Sequence, residues 1–169
     1  METLADQFTQ IFRDEHRKIR DTLLELIQAF KERHKSHILS LLNKATTYKG
    51  LHFRYEEEAL YPYLIGIFAE EYIEKLLSVH DRAIGTTMKL IEVSGKEPLT
   101  DYDIAKAIRL IRKELPHVSE CDGLSIMAEL LSDDKIKSIL DTRDRSLKAG
   151  LNLLDWAYQV RTRPAVFTD

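Results

Sequence analysis

The chain has 169 residues, 44% hydrophobic and 31% charged, which is enough for one soluble domain with a sizeable core. A net charge of −3 argues against nucleic acid as the main partner, and no apolar run reaches the length of a membrane span. The one cysteine, Cys121, excludes an internal disulfide and, with no signal peptide at the start, fits a cytoplasmic protein.

With only 6 glycines and 4 prolines, the chain is expected to form long helices. Over residues 4–33, Phe8, Phe12, His16, Ile19, Leu23, Leu26 and Phe30 recur every three or four positions, the stripe of an amphipathic helix. The polar run KERHKSH reads as a solvated turn, so His34 and His37 are set aside as ligands. A second helix over residues 36–60 carries Ile38, Leu41, Ala45, Tyr48, His52, Glu56 and Ala59 on one face and is expected to end near Pro62. A bend with Pro62 and Gly66 leads to a third helix over 69–93, striped by Ile73, Leu76, His80, Ile84, Thr87 and Ile91. After the turn SGKEP, Thr100 or Asp101 is placed to cap a fourth helix reaching about residue 131, with Ile104, Ile108, Ile111, Leu115, Val118 and Asp122 in line. Pro116 falls inside this helix and predicts a kink. A fifth helical segment spans 133–158, with a break near Arg143; Trp156 packs it on the bundle or on a second subunit, and the tail RTRPAVFTD is read as loose. The expected fold is all-α: an up-down-up-down four-helix bundle over 1–131 and a helical extension over 132–169 in the same domain.

In such a bundle, residues at one depth on adjacent helices lie equally far from the turn between them. The midpoint of His16 and His52 is residue 34, that of His52 and His80 is residue 66, and that of His80 and His117 falls between residues 98 and 99. All three are turns assigned from other residues, so the four histidines are expected in one layer, one from each helix. A lone histidine on an apolar face is usually a satisfied core residue. Four together with Glu56 and Asp122 in a dry interior are costly without a cation, and imidazole and carboxylate are metal ligands. His52 and Glu56, four residues apart, project from one face of their helix. The donor set exceeds what one tetrahedral ion takes and suits a di-iron pair; zinc or manganese is the alternative.

These residues resemble the hemerythrin family of HHE cation-binding helical bundles, over about residues 8–131. The matching stretches are His16 in EHRKI, His52 and Glu56 in HFRYEEEALYP, His80 in HDRAI, and His117 with Asp122 in HVSECD. The resemblance implies a non-haem di-iron centre bridged by Glu56 and Asp122, with His16 and His52 on one iron and His80 and His117 on the other. Ile84 stands where the oxygen carriers have a fifth histidine, which leaves an inventory more like the iron-centre repair proteins of this class.

Cys121 is read as a small buried residue with a thiolate ligand as the alternative, Glu57, Glu58 and Glu120 as acids solvating the outer face, and Tyr48 and Tyr55 as packing residues near the site. Three functions follow: a di-iron protein, not an enzyme, that binds or responds to oxygen, nitric oxide or peroxide; an iron donor for iron–sulfur proteins under stress; or a metal-free helical interaction protein. The chain is expected to work as a monomer or homodimer.

Overall fold

The computed structural model describes residues 1–163 and is an all-α helical bundle. Its long helices are α1 (Leu4–Lys31), α2 (Lys35–Tyr55), α4 (Glu70–Ser94) and α5 (Asp101–Asp122), with a short α3 (Tyr61–Leu64) between the second and third. Capping boxes start two of them: Thr3 with Asp6 at α1, and Thr100 with Asp103 at α5. α1 packs between α2 and α5, and α4 also packs on both α2 and α5, so the four helices enclose one interior.

That interior has two apolar ends. Phe8, Phe12, Tyr55, Leu60, Tyr61 and Leu124 fill one; Leu23, Leu26, Phe30, Ile38, Leu90 and Ile111 fill the other. Buried polar residues lie between them: Glu15, His16, Lys49, His52, Glu56, His80 and Glu114.

Three elements differ from the sequence reading. The second helix does not stop at Pro62. It widens into a π-helical turn, Glu56–Leu60, and Tyr61 N–H donates to the Glu56 carbonyl before the chain continues into α3 with Pro62 in its first turn. Proline is tolerated in a first turn because its missing N–H is not needed there. The fourth helix ends at Asp122, and Gly123–Leu130 is a tighter 3₁₀ segment.

The extension is two helices, α6 (Asp133–Ala149) and α7 (Leu153–Gln159). Its break lies not near Arg143 but at Gly150, whose left-handed φ of 65° ends α6. α6 and α7 both pack on α2. Trp156 packs on the bundle, buried with Phe53, Ala83, Ile84 and Leu153. Of the tail read as loose, Arg161 and Arg163 are tied down by ion pairs to the body, and residues 164–169 lie outside those described.

Candidate metal centre

His16, His52 and His80 are buried and His117 is half-buried, all turned inward at the polar middle of the bundle. His16 and His52 converge, with Nε2 atoms 3.1 Å apart. The rings of His80 and His117 lie 5.6 Å apart, edge to face. Glu56 stands between the pairs: its Oε1 is 2.9 Å from His52 Nε2 and 3.8 Å from His80 Nε2. Its other oxygen accepts from the Tyr61 hydroxyl at 3.0 Å. Tyr61 is five residues on, a spacing that an α-helix would not bring to one face and the π turn does.

Each ring is oriented from behind. His16 Nδ1–H donates to the Phe12 carbonyl at 2.8 Å, which leaves Nε2 bare. His52 Nδ1 meets Glu15 at 2.6 Å, and the Tyr55 hydroxyl donates to the same carboxylate oxygen at 2.8 Å. His80 Nδ1 meets Glu57 at 2.9 Å, and its ring stacks on Phe53 at 4.0 Å. His117 lies 3.3–3.4 Å from the Cys121 sulfur.

Electrostatics mark the same spot. Burial disfavours a charge on His52, but Glu56 and Glu15 beside it prevail and raise it to about 10. Burial and the neighbouring His52 charge lower His16 to about 4, and burial with His80 lowers His117 to about 3. Glu56 is buried, yet His52, His80 and His16 hold its carboxyl well below the usual range. Without metal, the His52 imidazolium thus supplies the positive charge the centre needs.

Among the described residues, three buried carboxylate oxygens have no hydrogen-bond partner: Glu56 Oε1, which His52 approaches without hydrogen-bond alignment, Asp122 Oδ1, and Glu114 Oε1, whose other oxygen pairs with Lys49. Glu56 Oε1 and Asp122 Oδ1 are acceptors that a cation would satisfy, at Glu56 in place of the His52 proton. His16, Glu56 and Cys121 each aim one donor atom into a space where all three lie within 4.8 Å of one another. Burial and Glu56 push the Cys121 thiol far up, which keeps it protonated. Asp122 stands at the rim: its side chain is 41% exposed and its Oδ2 lies 4.0 Å from Arg13. Ile84 is buried against the extension with Trp156 and Leu153.

Sequence reasoning missed Glu15 and misread Glu57. Neither stands on an apolar stripe, and only the fold shows that each backs a histidine from another helix. Glu58, paired with Arg54, and Glu120 are on the outer face as expected. Tyr55 does more than pack, since its hydroxyl holds Glu15.

A cavity of about 570 Å³ opens between α4 and α5 and reaches His16, His52 and His117. Lys75, Arg82 and Lys113 line it with apolar Ile19, Val79 and Leu110. A family model described as the hemerythrin HHE cation binding domain matches residues 7–120. No curated protein and no solved structure matches the chain.

Proposed function

The chain belongs to the hemerythrin HHE cation-binding family, and from that premise we propose that it holds a non-haem di-iron centre and binds or responds to oxygen, nitric oxide or peroxide there. The observation that carries this is Glu56 Oε1, a buried carboxylate oxygen that accepts no hydrogen bond and is flanked by His52 and His80. His16 and His52 would hold one ion and His80 and His117 the other, with Glu56 shared between them. Asp122 would add the second carboxylate through its orphaned Oδ1, and Cys121 is a further donor beside His16. Bound iron would supply exchangeable ligand positions and redox change.

The chain's own residues do the rest. Glu15 and Glu57 hold the Nδ1 protons of His52 and His80, so their Nε2 atoms face inward. Phe53 and Phe12 shield the rings from water. The cavity between α4 and α5 gives a small molecule a route to the His117 side.

A second reading, iron donation to iron–sulfur proteins, draws support from that opening, because a half-buried His117 at a cavity lets chelating groups approach. Elemental analysis after iron-supplemented expression is expected to find about two irons per chain, as in carboxylate-bridged pairs of bundle cores. The oxidised protein should absorb in the near ultraviolet and visible, with changes on adding azide. Protein free of metal after such expression would defeat both readings. Faster iron loss to an apo iron–sulfur protein than to buffer would favour donation.

A further inference from the structure

Two arginines that follow the family-matched region reach back to the carboxylates behind the histidines. Arg143 lies on α6, and Arg161 lies two residues after α7; both are outside residues 7–120. Arg143 Nε donates to Glu15 Oε1, while the other oxygen of Glu15 takes His52 Nδ1 and the Tyr55 hydroxyl. Arg161 grips Glu57 with two N–H groups, Nη2 to Oε1 at 2.6 Å and Nε to Oε2 at 3.0 Å, and Oε1 also takes His80 Nδ1. Its third nitrogen donates to Asp81 at 2.8 Å. The Arg161 guanidinium lies 5.5 Å from the centre of the Trp156 ring, and its side chain is only 1% exposed.

The arrangement has a pattern. Each proposed pair of metal-binding histidines contains one whose backing carboxylate is clasped by an arginine of the extension: His52 of the first pair and His80 of the second. The other members are held differently, His16 by the carbonyl of its own helix and His117 beside Cys121. Each carboxylate is held in place by the N–H groups of its arginine, Glu15 at one oxygen and Glu57 at both, and a carboxylate that lost them would be free to turn away from Nδ1–H.

Resting on the di-metal reading above, we infer that the C-terminal extension is a clasp on the metal centre, in which Arg143 and Arg161 are positioning residues that set how firmly each ion is held. They touch neither metal nor small ligand. They act through Glu15 on His52 and through Glu57 on His80.

The test uses the full chain loaded with cobalt(II), with stoichiometry measured first and loss to excess EDTA followed by the visible spectrum. Arg143→Gln and Arg161→Gln are each expected to speed loss of one of the two ions by about ten- to a hundredfold, the scale of groups that orient metal ligands. Because the two act on different pairs, each single variant should speed a different phase, and the double variant both. Arg143→Lys and Arg161→Lys keep the charge without the guanidinium geometry, which in Arg161 is a two-pronged grip, and should fall between wild type and the Gln variants. They also serve if a Gln variant fails to fold. Glu114→Gln disturbs a different buried ion pair, with Lys49, and controls for general destabilisation. Wild-type loss rates in the arginine variants would overturn the clasp, as would acceleration of both phases together in step with melting temperature, as in Glu114→Gln. Wild-type protein that takes up no cobalt would overturn the metal reading, and the clasp with it. Uptake by wild type with unchanged variants would overturn the clasp alone.

Discussion

Cys121 and Asp122 are adjacent, and only one of them points fully into the core. The buried side of α5 is Ala107, Leu110, Ile111, Glu114, Val118 and Cys121. The stripe read from the sequence shares Ile111 and Val118 with it but also takes Ile104, Ile108, Leu115 and Asp122, which are only partly buried, so it is turned by about one position. The offset has a physical cause: the inward face of α5 carries small Ala107, packed in the apolar cluster, and charged Glu114, which meets the buried Lys49 beside the cavity. The turn places Cys121 inside with His16 and Glu56, and leaves Asp122 with one buried orphaned oxygen and one facing Arg13. Two variants separate their roles. In the cobalt(II) protein a thiolate ligand gives a strong near-ultraviolet band, and Cys121→Ser is expected to abolish it; if wild type lacks the band, Cys121 is a packing residue. Asp122→Asn keeps an oxygen but removes its charge, and is expected to weaken metal binding about tenfold or more if this carboxylate is a ligand. Unchanged affinity in a competition titration would remove Asp122 from the set.

At the scale of elements, the long helices and their turns were legible because apolar period and capping chemistry agree; the π turn and the role of the extension were not. Pro62 looks like a stop signal in sequence, since nothing local shows that the preceding turn widens to carry the chain past it. Arg143 and Arg161 look like solvated charges, because their partners Glu15 and Glu57 lie more than a hundred residues away in the chain. The seat of the extension is Gly50 on α2. A Cβ there would lie 2.5–2.6 Å from backbone atoms of Leu151, Asn152 and Leu153, and backbone has no rotamer by which to yield. Gly50→Ala is therefore expected to lift the α6–α7 loop and cost about 1–3 kcal/mol, the range for overpacking. Thermal melting checks it: an unchanged midpoint would mean that the loop moves freely. Across the bundle interior, Lys49 of α2 and Glu114 of α5 form a buried ion pair. Glu114→Ala strands the ammonium and should cost about 3–5 kcal/mol, whereas replacing both with Met should be near neutral. Equal losses in the single and the double variant would contradict that account.

Over the whole molecule, the histidine layer was legible because bundle geometry turns sequence distance into depth. The three midpoints fall in the turns between α1 and α2, α3 and α4, and α4 and α5. The charge balance of the layer was not legible, since it depends on Glu15 as well as Glu56 facing His52. That balance predicts how stability and metal binding change with pH. In the metal-free protein His52 titrates at about 10, against an ordinary value near 6.5, so folding favours its protonated form. The stability this contributes is fully present below pH 6.5 and is lost as pH rises towards 10. His16 and His117 shift the other way, to about 4 and about 3. Folding favours their neutral forms, so they cost nothing above pH 6.5 and erode stability below it, as the unfolded chain takes up their protons. Glu56, held low, adds stability above its ordinary range that is lost in acid. The metal-free protein should therefore be most stable near pH 6.5 and weaken on both sides. Metal binding inverts the alkaline limb. An ion must displace the His52 proton, so affinity should rise about tenfold per pH unit between 7 and 9. The metal then stabilises by a term that grows with affinity, while the metal-free reference declines. The gain in melting temperature on adding zinc is thus expected to be larger at pH 8.5 than at pH 6.5. In His52→Gln, which has no such proton to release, it should be small and nearly independent of pH. A zinc-induced gain that shrinks from pH 6.5 to 8.5 in the wild-type protein would show that His52 is already neutral when the metal arrives.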